Sequence, residues 1–316
     1  MQVAIIDDYQ GLAKKRSNWS ELSKDVQITF FEDHLFDEDE ISKRLQDFEV
    51  ICAMRERTPF QQSQLEKLKN LRLLITSGMR NLSIDLTAAE QLGIKVCGTP
   101  AFGRPTAELA WGLILGLARK IPMEDQNIRN GVWQKSIGVG LKDKTLGIAG
   151  LGNLGSKMAA IAHAFEMKTI AWSQNLTIDR CNLHRVERVS KTDLMQRSDF
   201  LSIHLVLGER TRGIFGAPEL ADMKESAFLI NTSRSPIIDE TSLIDALKNN
   251  KIAGAGIDVF NIEPLPKNHT LTKLKNVILT PHLGYVEEEN YNAYFSGYVS
   301  AIKGFLDGNL VNVLRR

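Results

Sequence analysis

The chain has 316 residues, with 39 Lys+Arg against 38 Asp+Glu, 43% hydrophobic residues and 7% aromatics. A formal net charge of +1 offers no basic surface to a nucleic-acid backbone or an anionic membrane, and the apolar content is too high for a disordered chain. The length suits two domains, each able to bury a core.

The opening run Val3–Ile6 reads as a strand rather than a signal peptide, because no basic segment precedes it and Asp7 and Asp8 follow at once. Further short β-rich runs follow in order: Val26–Phe31, Val50–Ala53, Leu71–Thr76, Ile94–Cys97, Leu146–Ala149, Thr169–Trp172, Phe200–Leu205, Ala227–Asn231, Gly254–Val259 and Val277–Thr280. Their alternation with helical patterns predicts an α/β protein with parallel, doubly wound sheets. Eleven such runs exceed what one common sheet of this type holds, so two sheets are expected. Cys52, Cys97 and Cys181 form neither a CxxC nor a ligand spacing, which argues against a disulfide framework or a metal site and for a reducing, cytoplasmic setting. The longest apolar stretch, Leu109–Ala118, is about half the ~20 residues a membrane helix needs.

A Gly/Pro-rich connection from Gly98 to Pro105 marks a boundary, and the helix predicted from Thr106 to Lys120 has Pro105 at its start. That helix is apolar nearly all round, so it is expected to be covered by another domain or a second subunit. Beyond Gly284, Tyr291, Tyr294, Phe295 and Tyr298 share one helical face and are expected to pack on the first domain as core.

Gly150-Leu151-Gly152-Asn153-Leu154-Gly155 lies between a predicted strand and a predicted helix. In that context the glycines serve a tight turn, close approach of backbone to a pyrophosphate, and helix-to-strand packing. The helix N-terminus then offers N–H groups to phosphates. The next strand should end in a carboxylate that binds the adenosine ribose, but Ser173 stands there. NAD or NADP is implied, with a lean to NADP because no carboxylate repels a 2′-phosphate. Arg180 is the nearest arginine and otherwise reads as a surface charge.

Three later segments carry chemistry at strand ends: Asn231-Thr232-Ser233-Arg234-Ser235, Asp258-Val259-Phe260-Asn261-Ile262-Glu263 and Thr280-Pro281-His282-Leu283-Gly284. Ligands of open α/β sheets bind beyond the carboxyl ends of the strands. An arginine fork suits a carboxylate and its neighbouring carbonyl, histidine is the acid/base that titrates near neutrality, and glutamate orients it. These types suit hydride transfer to a 2-oxo acid.

On these four motifs, in this order and spacing, the chain resembles the D-isomer-specific 2-hydroxyacid dehydrogenases over essentially its whole length. Thr99-Pro100, Trp133 and Ser202-Ile203-His204 are weaker matches. The resemblance implies a Rossmann coenzyme domain (100–282) inserted into a flavodoxin-like substrate domain (1–99 and 283–316), with the active site in the cleft between them and a homodimer built around the coenzyme domain. It further implies Arg234 as the substrate-binding arginine, His282 as the acid/base and Glu263 as its partner. Asp258 would face the nicotinamide amide, and Asn153 and Leu154 would offer backbone to the pyrophosphate. Thr106, Ser173, His204, Thr232, Ser233 and Gly284 would lie along the cofactor with Gly150, Gly152 and Gly155. Gly78, Met79 and Arg80 would hold the substrate carboxylate through main-chain N–H groups.

Arg80, Ser235 and Tyr285 stand where relatives commonly carry glycine. Arg80 and Tyr285 either narrow the pocket toward a substrate with an added anionic or polar group, or respectively face solvent and pack. The expected function is reversible reduction of a small 2-oxo acid to a D-2-hydroxy acid, with no metal, nucleic-acid or membrane partner. The alternative is a dinucleotide-sensing, corepressor-like binding protein of the same fold.

Overall fold

Five short apolar runs near the N-terminus form one sheet: β1 (Gln2–Ile5), β2 (Gln27–Phe30), β3 (Val50–Ala53), β4 (Leu73–Thr76) and β5 (Lys95–Gly98). The structure, a computed structural model, describes residues 1–315. All five strands pair in parallel in the order β2-β1-β3-β4-β5, the flavodoxin-like arrangement. β3 and β4 are buried at every position, as strands covered on both faces must be.

The second sheet comprises β6 (Thr145–Ala149), β7 (Lys168–Trp172), β8 (Glu187–Arg188), β9 (Phe200–Ile203), β10 (Phe228–Asn231), β11 (Gly254–Ile257) and β12 (Val277–Leu279), in the order β12-β11-β10-β9-β6-β7-β8. It too is parallel throughout. The order reverses between β6 and β9, which is where such a sheet opens a crevice. Two-residue, exposed β8 has no apolar run behind it, and sequence reading did not find it.

The chain divides into two compact units, Met1–Phe102 with Glu287–Arg316 and Gly103–Val286. Sequence reading placed the corresponding boundaries at 99/100 and 282/283. In the first unit, the helix Glu288–Leu306 buries Tyr291, Tyr294, Phe295 and Tyr298. The Tyr298 hydroxyl donates to the Ala53 carbonyl at 2.9 Å, which satisfies the one polar atom of a fully buried ring. Residues near the C-terminus extend the same sheet: Val313 bridges Cys97 in antiparallel fashion, and Leu314 N–H donates to the Val96 carbonyl.

In the second unit, the helix Arg104–Arg119 buries Ala107, Ala110, Trp111, Leu113, Ile114, Leu117 and Ala118. It packs on β10, β11, β12 and the helix Asn153–Ala164. The cover expected from another domain or subunit is therefore supplied within the unit, because the wide face of the sheet accepts a helix that is apolar on most sides. Each large side chain so buried contributes about 1.5–3 kcal/mol. The next segment exposes several large apolar side chains. The helix Ile121–Arg129 buries no residue, and Ile128, Trp133 and Ile137 stand 55%, 74% and 90% exposed.

Candidate active site

The glycine turn follows β6. Gly150 has φ +100°, and a Cβ there would lie 2.8 Å from the His204 carbonyl oxygen, so both conformation and space demand glycine. A Cβ on Gly155 would stand 2.1 Å from the Gly150 carbonyl oxygen, which is the close helix-to-strand approach the fingerprint requires. Gly152 differs: nothing lies within 4 Å of its missing Cβ. That open face adjoins the N–H groups of Asn153 and Leu154, which no described residue accepts. Open space before a helix N-terminus is what a pyrophosphate needs.

Two buried polar atoms after the neighbouring strands β10 and β9 also lack partners among the described residues, Thr232 Oγ1 and His204 Nδ1. Burial lowers His204 to about 4, and its Nε2 lies 2.8 Å from Ser202 Oγ. A nicotinamide dinucleotide fits this donor set, since backbone N–H groups, a neutral imidazole and an uncommitted hydroxyl follow β6, β9 and β10, three adjacent strands. Ser173 follows β7 directly and is half-buried. Thr106 and Ser233 are engaged with protein: Thr106 Oγ1 donates to the Gly284 carbonyl at 2.6 Å, and Ser233 Oγ to the Leu205 carbonyl.

Arg234, Glu263 and His282 follow β10, β11 and β12, three adjacent parallel strands. Buried Asn231 clamps the first loop, its Oδ1 accepting the Ser233 N–H at 3.0 Å and its Nδ2 donating to the Arg234 carbonyl at 3.2 Å. Arg234 Nη1 donates to the Ser233 carbonyl at 2.7 Å. Glu263 is held from both ends. Its Oε1 accepts the Phe260 N–H at 2.8 Å and its Oε2 lies 2.6 Å from His282 Nδ1. Facing a carboxylate, Nδ1 carries the proton, and Nε2 has no hydrogen-bond partner among the described residues.

Asp258 organises the histidine loop. The carboxylate is fully buried and accepts from Thr280 Oγ1 (2.6 Å), Leu283 N–H (2.7 Å) and Gly284 N–H (2.9 Å). Burial pushes its carboxyl up, and these bonds pull it back. The resemblance set it against the nicotinamide amide; what the structure shows is a buttress, with its acceptor positions turned to 280–284. Tyr285 is buried and meets the His282 ring edge-on, centroids 5.4 Å apart at 70°. Packing, one of its two sequence alternatives, is thus what its ring does here.

In the first unit, Gly78 N–H donates to Thr99 Oγ1 at 2.9 Å, so this donor is engaged within the unit. Met79 and Arg80 are exposed, and their N–H groups have no acceptor among the described residues. Arg55, which sequence reading passed over, sets its guanidinium beside this loop, Nη1 donating to the Ser77 carbonyl at 3.2 Å. Its sole signal was a basic residue just beyond a buried strand.

Residues 111–284 match the family described as D-isomer specific 2-hydroxyacid dehydrogenase, NAD binding domain. The chain is 38% identical over 262 residues to a glyoxylate reductase of Thermococcus litoralis, covering 78% of this chain and 79% of that protein. It is 37% identical over 257 residues to a hydroxypyruvate reductase of Thermotoga maritima, covering 80% and 82%. A crystal structure of a phosphoglycerate oxidoreductase from Vibrio cholerae superimposes with a TM-score of 0.92 at 33% identity, covering 98% of this chain and 99% of that one.

Proposed function

The chain belongs to the D-isomer-specific 2-hydroxyacid dehydrogenases, and from that premise we propose that it reduces a small 2-oxo acid to the D-2-hydroxy acid, reversibly, with a nicotinamide dinucleotide. The observation that carries this reading is the 2.6 Å contact between His282 Nδ1 and Glu263 Oε2, after strands that continue the sheet from β10, which precedes Arg234. When bound, the cofactor supplies or takes the hydride at substrate C2. His282 Nε2 gives its proton to the forming alkoxide, and Glu263 balances the positive ring before the transfer. Arg234 forks onto the substrate carboxylate and carbonyl oxygen and stabilises the developing charge. In the oxidative direction Nε2 takes the hydroxyl proton instead.

The relatives named as glyoxylate and hydroxypyruvate reductases support a short 2-oxo acid as substrate. Ser173 at the strand end favours NADP over NAD. A homodimer is proposed through the exposed apolar segment around Trp133. The deciding experiment follows NADPH and NADH oxidation by absorbance against glyoxylate, pyruvate and hydroxypyruvate. Turnover of at least one is expected; tight nucleotide binding with no turnover of any would overturn the enzymatic reading.

A further inference from the structure

We infer that Arg180 reads the 2′-phosphate of NADP and sets the cofactor preference of this chain; the inference rests on the dinucleotide-binding role proposed above. Between Trp172 and Leu183 the only carboxylate is Asp179, which is exposed. The Trp172 carbonyl accepts the Gly150 N–H at 2.9 Å, so Ser173 lies one residue from a direct bond to the glycine turn. Arg180 reaches the same turn from the following helix. Its Nε donates at 3.0 Å to the carbonyl of Leu151, the residue between the first two glycines. Thr177 Oγ1 accepts the Arg180 N–H at 3.2 Å, which fixes the start of that helix.

An arginine serving only as surface charge would extend into solvent. This one is half-buried, and a neutral carbonyl holds its Nε. A carboxylate there would have cancelled the charge. The Nη groups have no hydrogen-bond or ion-pair partner among the described residues. With Nε fixed the guanidinium plane is set, so little freedom is lost when the two Nη groups close on a phosphate. The uncancelled charge is also felt nearby: burial and then the Arg180 charge lower the His184 imidazole. Ser173 on one side of the turn thus removes repulsion, and Arg180 adds a charge-assisted fork.

The test is titration of the full chain with NADPH and with NADH, followed by nucleotide fluorescence, for wild type, Arg180→Gln and Ser173→Asp. Wild type is expected to bind NADPH the more tightly. Arg180→Gln should weaken NADPH about 10- to 100-fold and NADH by less than about threefold; retained NADH binding shows that the glycine turn is folded. Ser173→Asp should reverse the preference. Equal losses of both nucleotides in Arg180→Gln would reduce Arg180 to a brace for the turn and overturn the inference, as would a wild type indifferent to the 2′-phosphate. If wild type binds neither nucleotide, it is the dinucleotide-binding reading itself that fails.

Discussion

His282 Nδ1 stands 2.6 Å from Glu263 Oε2, while Glu263 Oε1 is tied to the Phe260 N–H at 2.8 Å, so the imidazole is oriented by a carboxylate that is itself anchored to backbone. His282→Asn is expected to lower kcat at least ~100-fold, the scale of general acid–base catalysis, with nucleotide affinity kept. Glu263→Gln should cost about 10- to 100-fold in kcat and alter the pH profile, since an amide cannot balance a charged ring. Steady-state rates beside fluorescence titrations check both, and near wild-type turnover in His282→Asn would refute the assignment.

Arg234→Lys replaces a planar fork by a point charge. We expect kcat/KM for the 2-oxo acid to fall at least ~100-fold with nucleotide binding unchanged. Unaltered substrate affinity would count against Arg234 as the carboxylate ligand.

Gly152 and Gly155 separate binding from folding. At Gly155 a Cβ meets backbone at 2.1 Å, so Gly155→Ala should destabilise the protein by about 1–3 kcal/mol. At Gly152 the space is open, so Gly152→Ala should unfold at the wild-type temperature while losing nucleotide affinity. Thermal unfolding and titration of the two variants side by side distinguish them; equal melting temperatures would show that the close approach at Gly155 costs nothing to relieve.

His204 makes stability depend on pH. Burial lowers it to about 4 from an ordinary 6.5, so between those values the unfolded chain binds a proton that the folded chain refuses. Stability therefore falls as pH drops through this window, by about 2 kcal/mol at pH 5. His204→Gln should lose this part of the slope in urea denaturation at pH 7 and pH 5, and an unchanged slope would mean that His204 titrates normally.

The exposed apolar segment beyond the helix Ile121–Arg129 should be covered by a second copy. Sedimentation is expected to show a dimer for wild type and a monomer for the double variant Trp133→Asp, Ile137→Asp. A monomeric wild type would leave the segment without that role.

The strand ends that carry Arg234, Glu263 and His282 were legible because β10 and β11 are buried runs and β12 is a short apolar one, and the polar residues after them stand out. So was the glycine turn, where spacing and flanking elements agree. Other features depended on partners far along the chain. Arg180 looks like any surface arginine until its Nε meets a carbonyl 29 residues earlier. The Gly78 N–H reads as a free donor until Thr99, 21 residues later, claims it. The helix Arg104–Arg119, apolar nearly all round, was read as covered, yet periodicity does not say what covers it. Asp258 shows the same limit, for its type marked it as functional while its work in holding 280–284 emerged from three contacts across the loop.

The contact between Tyr298 and Ala53 joins residues 245 apart, and everything from Gly103 to Val286 is synthesised between them. The first sheet therefore emerges from the ribosome without the aromatic helix that covers one of its faces, and it waits in that state while the inserted unit is made. The inserted unit is continuous and can close its core as soon as β12 appears. The expected order of maturation is thus the reverse of the order in which the two units begin. A chain arrested after Val286 should yield a protease-resistant second unit beside a first unit that is still cleaved.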